Sequence, residues 1–370
     1  MPSILYVGMD VHTTNYTLCC YSVEHDEVFA EVQMEPDYKN IQKYLEQVKR
    51  NYGKACEFVC GYEAGYLGYT LYHQLTSKGI DCIILAPTTM PQTKKKGIKT
   101  DKRDAKKIAQ CLAYKTYSPV YIPTDEDNAV KEYIRMRDDE KAILKTLKQR
   151  LLAFCTRNGK HYDGGSSNWT KKHLTWLKQQ KFDNVILQET FNEYLMLYFQ
   201  ASDKVDLFDK RIEELSQRDP YRGKVKMLIC LLGIGLHTAL ATIVETGDFY
   251  RFPTAQQYAA YLGLVPGENS SGDSKKQGGI TKAGNTHVRK LLIEAAHCYN
   301  RGAVGKKSKT MLAKQAGNDP KVIAYADKAN DRLKRKYYRV LFRSNKNKAT
   351  TAVARELACF IWGMMTDNIA

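Results

Sequence analysis

Four carboxylates have the placement needed to hold a divalent cation. Asp10 and Glu63 each close a short apolar run, Ile4-Leu5-Tyr6-Val7-Gly8-Met9 and Phe58-Val59-Cys60-Gly61-Tyr62, while Asp101 and Asp104 stand three apart in a helix-forming segment. A run of that length reads as a buried strand, and nothing apolar is gained by ending it in an acid. On a helix, residues at i and i+3 project from one face about 60° apart. Like charges held so near repel unless a cation stands between them. Oxygen ligands select a hard ion, Mg²⁺ or Mn²⁺, and two such ions can activate a nucleophile and stabilise the leaving oxygen in phosphodiester cleavage. Taken singly, each acid also has an ordinary structural reading, as a turn residue after a strand or as charge balance on a basic helix.

A second reactive group lies far downstream. Gly263-Leu264-Val265-Pro266-Gly267-Glu268-Asn269-Ser270-Ser271-Gly272-Asp273-Ser274-Lys275-Lys276-Gln277-Gly278-Gly279-Ile280-Thr281-Lys282-Ala283-Gly284-Asn285-Thr286-His287-Val288-Arg289 alternates hydroxyls, glycines and cations ahead of an apolar helix, Val288 to Cys298. A serine hydroxyl in such a setting can attack phosphorus, with Lys275, Lys276, Lys282 and Arg289 stabilising the developing charge. The same stretch also reads as a flexible loop. Just upstream, Leu231-Leu232-Gly233-Ile234-Gly235-Leu236-His237 resembles a helix-hairpin-helix turn, in which Gly233 and Gly235 let backbone N–H groups approach a DNA phosphate. His237 reads as a packing or phosphate-contacting residue, since no other ligand has metal-site spacing. Lys94-Lys95-Lys96-Gly97-Ile98-Lys99-Thr100 runs directly into Asp101, and Lys102 and Arg103 follow. Beside acids, that cationic stretch is a candidate phosphate contact; by itself it is a solvated loop.

The composition fits a polyanionic partner. There are 57 Lys+Arg against 40 Asp+Glu, a net charge of +17, which favours nucleic acid because no lipid anchor or amphipathic terminal helix is evident. No run of 18 apolar residues occurs and Met1-Pro2-Ser3 leads straight into a strand, so a cytoplasmic protein is expected. Cys19, Cys20, Cys60, Cys82, Cys230 and Cys359 lie inside apolar runs, where reduced cysteine acts as a small hydrophobe. Cys56-x-x-x-Cys60 has no second pair or nearby His to complete a zinc site.

The elements that must position these residues form an α/β part followed by an α part. Ile4 to Met9, Tyr16 to Val23 and Glu27 to Met34 read as an antiparallel meander. A helix at Tyr38 to Tyr52, the strand ending in Glu63, a helix at Leu67 to Lys78, a strand at Cys82 to Leu85 and a helix at Lys102 to Tyr114 follow. Strand-Asp, strand-Glu, helix-Asp-x-x-Asp is the order in which an RNase H-like fold presents its acids. Beyond Pro119 and Pro123 the apolar spacing becomes that of two long helices, able to pair as an antiparallel coiled coil with Arg157 to Gln188 inserted at the tip. Such an arm can space two domains or mediate dimerisation. The expected partition is residues 1–118, 119–220 and 221–370.

Across nearly its whole length the chain resembles the DEDD-type transposases of the insertion sequence 110/1111 family, relatives of the Piv DNA invertases. Asp10…Glu63…Asp101-x-x-Asp104 is similar to that family's RuvC-like domain, Gly-Leu-Val-Pro…Ser-Ser-Gly…Gly-Ile-Thr-Lys-x-Gly-Asn…Arg to its transposase domain, and Asn347 to Trp362 to its C-terminal segment. The resemblance implies that the four acids bind Mg²⁺ and that Ser271, directly before Gly272, is a nucleophile forming a phosphoserine link to DNA, with Ser270 and Ser274 as alternatives. It also implies a bridge RNA pairing with donor and target DNA, and a homo-oligomer, dimer or tetramer, in which protomers can share a composite site. A metal-dependent junction nuclease in which water attacks, a DNA invertase and a non-enzymatic nucleic-acid-binding protein are the competing readings.

Overall fold

The computed structural model describes residues 2–52, 55–91, 100–268 and 277–369. The chain separates into two compact units, Met1–Ile122 and Pro123–Ala370.

The first unit is a mixed sheet with helices on both faces. Its strands are β1 (Ser3–Val11), β2 (Tyr16–Ser22), β3 (Glu27–Met34), β4 (Cys56–Glu63) and β5 (Cys82–Leu85), ordered β3-β2-β1-β4-β5. The meander β1-β2-β3 is antiparallel, whereas β4 and β5 run parallel to β1, consistent with the RNase H-like sheet expected. Parallel strands require crossovers, supplied by α1 (Tyr38–Tyr52) and α2 (Thr70–Thr76), while α3 (Asp101–Tyr114) follows β5. Alternation along β1 sorts its side chains. Leu5, Val7 and Met9 enter one core with Ile41, Leu45 and Leu75, leaving Tyr6, Gly8 and Asp10 to the opposite face.

On that opposite face α3 comes unusually near. A Cβ at Gly8 would stand 2.0 Å from the Ala105 carbonyl oxygen and 2.4 Å from the Ala109 nitrogen, and one at Gly61 would meet Leu112 at 2.9 Å. Gly8 must be glycine for the helix backbone to seat, and Gly61 makes room for the Leu112 side chain that the helix carries. Ala105 and Ala109, both fully buried, complete the close approach from the helix side.

The second unit is helical apart from one small hairpin. Two long helices, α4 (Asp125–Arg157) and α6 (Val185–Ser216), run antiparallel: Tyr133 packs on Phe208 near one end, and Phe154 on Phe191 near the other. Between them α5 (Lys171–Lys178) builds a small aromatic core from Trp169, His173 and Trp176. His173 is fully buried, its Nδ1 accepting the Trp169 N–H, and burial lowers its pKa.

The remaining helices are α7 (Tyr221–Leu228), α8 (Leu236–Thr246), α9 (Ala255–Tyr261), α10 (Thr286–Ala296), α11 (Lys309–Gln315), α12 (Pro320–Arg343) and α13 (Lys346–Met365), with the hairpin β6 (Pro266–Glu268) and β7 (Gln277–Ile280). Val130, Ile134, Ile212 and Leu215, from the base of the two long helices, share one core with α7 to α10, α12 and α13. That shared core is why the arm and the C-terminal region form one unit. All ten cysteines are free thiols, eight of them buried.

Seating α3 through glycine gives a stability prediction. Gly8→Ala should cost about 3 kcal/mol by forcing helix and strand apart, read as a lower urea midpoint in the circular dichroism of the chain. Gly223→Ala, at a site in α7 with nothing within 4 Å, should leave the midpoint unchanged or raise it slightly.

Candidate active site

Register brings the acids of the first unit to one end of the sheet. Met9 lies beside Tyr62 in the parallel pair, so Asp10 and Glu63 come next at the C-terminal ends of neighbouring strands. Each stands two residues beyond a glycine that faces α3, and therefore on the α3 side. Asp101 and Asp104 open that helix, in the first turn, where the helix dipole favours negative charge. One ligand atom from each of Asp10, His12 and Asp101 lies within 4.8 Å of the others. His12 Nε2 is 3.3 Å from Asp10 Oδ2. Burial raises the Asp10 carboxyl above its ordinary range; His12 pulls it down, and the charges of Asp101 and Asp104 push it up again. Glu63 is exposed and is not part of the Asp10–His12–Asp101 group.

These donors fit a divalent cation. A raised carboxyl crowded by two further acids is the state a cation relieves. Thr17, paired with Asp10 across the antiparallel strands, is 2% exposed, and its Oγ1 has no hydrogen-bond partner among the described residues. Paired residues share a face of the sheet, so this orphaned hydroxyl stands on the same side as the acids. Sequence reasoning missed His12; the signal was the Asp-x-His spacing, which puts both side chains on one side of an extended strand.

Of the proposed phosphate contacts near these acids, Lys94, Lys95, Lys96 and Lys99 lie outside the described residues. Lys102 and Arg103 are exposed, with Lys102 Nζ 3.8 Å from Glu31.

In the second unit the serine-bearing segment lies in sequence between β6 and β7. Asn269 to Lys276, including Ser270, Ser271, Ser274, Lys275 and Lys276, falls outside the described residues. Pro266 pairs with Ile280, Thr281 N–H donates to the Val265 carbonyl at 2.9 Å, and Lys282 N–H to that of Gly263 at 3.1 Å. Gly263 and Gly284 have φ of +65° and +70°, and a Cβ on either would strike the backbone of Ala283 or Tyr261, at 2.3 Å and 1.8 Å. The glycines of the motif are thus a clasp across the loop base.

Arg289 completes that clasp from within. It is 8% exposed, and its Nη1 donates to the carbonyls of Leu262 and Ala283, both at 2.9 Å. The guanidinium is turned inward, whereas Lys282 is exposed. Gly233, at φ +85°, lets the turn between α7 and α8 press on Ala295 of α10, where a Cβ would be 2.3 Å from the carbonyl oxygen; Gly235 caps α8.

Behind the clasp lies a charge network that sequence reasoning did not find. His287, at the start of α10, has Nδ1 2.9 Å from Glu245 and Nε2 2.7 Å from Asp138. Arg135 donates twice to Glu245, at 2.8 and 3.0 Å, and Asn285 once at 2.8 Å. Arg137 bridges Asp138 at 2.9 Å and Asp209 at 2.7 Å. His237 Nε2 also lies 2.9 Å from Asp138, at ion-pair distance but poorly aligned for a hydrogen bond. Hydrogen bonds from His287, Arg135 and Asn285 overcome burial and hold Glu245 down at about 2, and its carboxylates outweigh burial to lift His287 to about 9. Glu245, the lone acid inside the apolar run of α8 before its last turn ends, was the available signal.

The raised His287 should contribute stability that is complete below 6.5 and lost as pH rises through about 9. Glu245 contributes the opposite edge, present above 4.5 and lost as pH falls through about 2. Wild type should therefore lose about 3 kcal/mol between neutral and alkaline pH that His287→Gln does not lose. Urea titrations followed by tryptophan fluorescence check this, since Trp169, Trp176 and Trp362 all belong to the second unit.

Comparison with known proteins agrees with both halves. A family profile for IS110-type DEDD transposases matches residues 7–157, and one described as Transposase IS116/IS110/IS902 family matches residues 226–309. The chain is 33% identical over 335 residues to the transposase for insertion sequence element IS1533 of Leptospira borgpetersenii, covering 90% of this chain and 95% of that protein. It is 33% identical over 364 residues to putative transposase y4qE of Sinorhizobium fredii, covering 98% and 88%. The transposase for insertion sequence element IS1111A of Coxiella burnetii is 24% identical, covering 80% and 74%. The chain belongs to the IS110 family of insertion-sequence transposases, DNA-cutting enzymes that act on DNA.

Proposed function

We propose that this transposase cuts and rejoins DNA through a phosphoserine intermediate, using the acids of the first unit and Ser271 of the second, with a bridge RNA selecting donor and target. The observation that carries the reading is the convergence of Asp10, His12 and Asp101 at the end of a buried strand. Asp10, Asp101 and Asp104, with Glu63 at the neighbouring strand end, would hold Mg²⁺ or Mn²⁺; bound there, the ion would supply Lewis acidity toward phosphate oxygens. The carboxylates orient through a helix and strand seated by Gly8, so their spacing is set before substrate arrives.

In this reading Ser271 Oγ bonds to phosphorus while a phosphorus–oxygen bond of the DNA breaks. The serine proton is taken up by a base and the departing oxygen is protonated, so one phosphodiester replaces another and no external energy source is needed. Lys275, Lys276 and Lys282 stabilise charge on the phosphoryl oxygens. Lys94, Lys95, Lys96, Lys99, Lys102, Arg103 and the turn at Gly233 and Gly235 are read as backbone contacts, which position nucleic acid without reading its sequence. Further copies of this chain, as dimer or tetramer, are proposed partners.

The test incubates protein, candidate RNA and DNA with Mg²⁺ and looks for a protein–DNA adduct that survives denaturant. Ser271→Ala should abolish the adduct while Ser270→Ala and Ser274→Ala retain it. Cleavage without any adduct, or an adduct that persists in Ser271→Ala, would remove the serine assignment. Asp104→Asn should lower cleavage about 10²–10³-fold with nucleic-acid affinity nearly unchanged; undiminished cleavage would take Asp104 out of the site.

A further inference from the structure

The outer face of α12 is a straight cationic track. Its inner face, Val322, Ala326, Ala329, Leu333 and Tyr337, is buried in the core of the second unit. Lys328, Arg332, Arg335, Arg339 and Arg343 are all exposed. Advancing by three and four residues, they fall within an arc of about 80° and extend about 22 Å along the helix axis. Arg332, Arg335, Lys336 and Arg339 line one recess of about 310 Å³. Arg332 and Lys336 share the single carboxylate of Glu356, and among the described residues no acid pairs with Arg335 or Arg339. Four like charges around one recess, two of them without a carboxylate among the described residues, make it attractive to an anion.

Beside this track stands Phe342, 85% exposed and about 20° around the helix from Arg335. A large aromatic held in water gains nothing from the fold. Among cations spaced to follow phosphates, it is the platform on which an unstacked base is bound. A duplex, whose bases are already stacked, would meet the arginines but have no use for the ring.

We propose that the outer face of α12 binds an unpaired nucleic-acid strand, with phosphates in the recess at Arg335 and Arg339 and a base stacked on Phe342. None of these residues is among the acids or serines of the proposed chemistry, and the test reads binding rather than cleavage, so failure of either reading leaves the other standing.

The experiment titrates the full chain into fluorescein-labelled single-stranded RNA, single-stranded DNA and duplex DNA of one sequence, and follows anisotropy across a salt series. The expected result for Arg335→Glu with Arg339→Glu is at least about 10-fold weaker single-strand binding and a salt slope smaller by about 2. Phe342→Ala should weaken single-strand binding about 5- to 10-fold and leave duplex binding unchanged. The RNA and DNA arms show which kind of strand the track prefers. Unaltered single-strand affinity in the charge-reversed protein overturns the proposal, as does equal loss of duplex and single-strand binding in Phe342→Ala. Matching circular dichroism and thermal melting confirm that these exposed substitutions leave the fold intact.

Discussion

The seating of a helix backbone directly on a strand governs the first unit. At Gly8 there is no room for even a methyl group between β1 and α3, while one strand over Gly61 leaves space for the Leu112 side chain of that helix. Interiors pack too densely to absorb a change of that kind locally. The distance from the end of β1 to the first turn of α3 is therefore fixed by hard contact, and Asp10, Asp101 and Asp104 inherit it. Buried alanines on the helix and glycines on the strands are the residues that make an acidic cluster possible beyond them.

The second unit reaches a similar end by other means. Where the first relies on steric contact, the base of the serine loop is held by backbone hydrogen bonds, two left-handed glycines and the inward guanidinium of Arg289. The charge network then ties the start of α10 to α4 and α8 through His287, Asp138 and Glu245. Removing one member of such a network leaves a buried charge unpaired, which costs more than the net worth of the intact pair. Its evident use is to fix the loop base against the long helix.

Much of this was legible because it is local. The meander, the strands ending near the acids and the helix beginning at Asp101 follow from periodicity and from apolar runs that stop at a charge. α3 begins one residue earlier than the pattern required, and α2 spans only Thr70–Thr76 instead of Leu67 to Lys78. What the pattern could not give was partnership across distance. Arg135, Asp138, Glu245 and His287 come from three helices, and no spacing within one segment links them. Arg289 looked like a free cation in a basic loop; its tertiary position gives it carbonyl oxygens instead. His237, without a second ligand in sequence, acquires Asp138 as a neighbour through the packing of α8 on α4.

The direction in which each carboxylate is shifted separates scaffold from site. Glu245, Asp138 and Glu356 are all held below their ordinary range, because arginine, lysine or histidine donors outweigh the burial that pushes them up. Those acids are already satisfied by protein cations, as a stabilising element should be. Asp10 is shifted the other way: burial raises it, and Asp101 and Asp104 add repulsion that His12, 3.3 Å away, only partly offsets. In a chain with a net charge of +17, a carboxyl raised by burial and by two neighbouring acids is the kind of perturbation that marks a functional site. The carboxylates held low by protein donors serve the scaffold, whereas a carboxyl raised among other acids is where a cation is best accommodated.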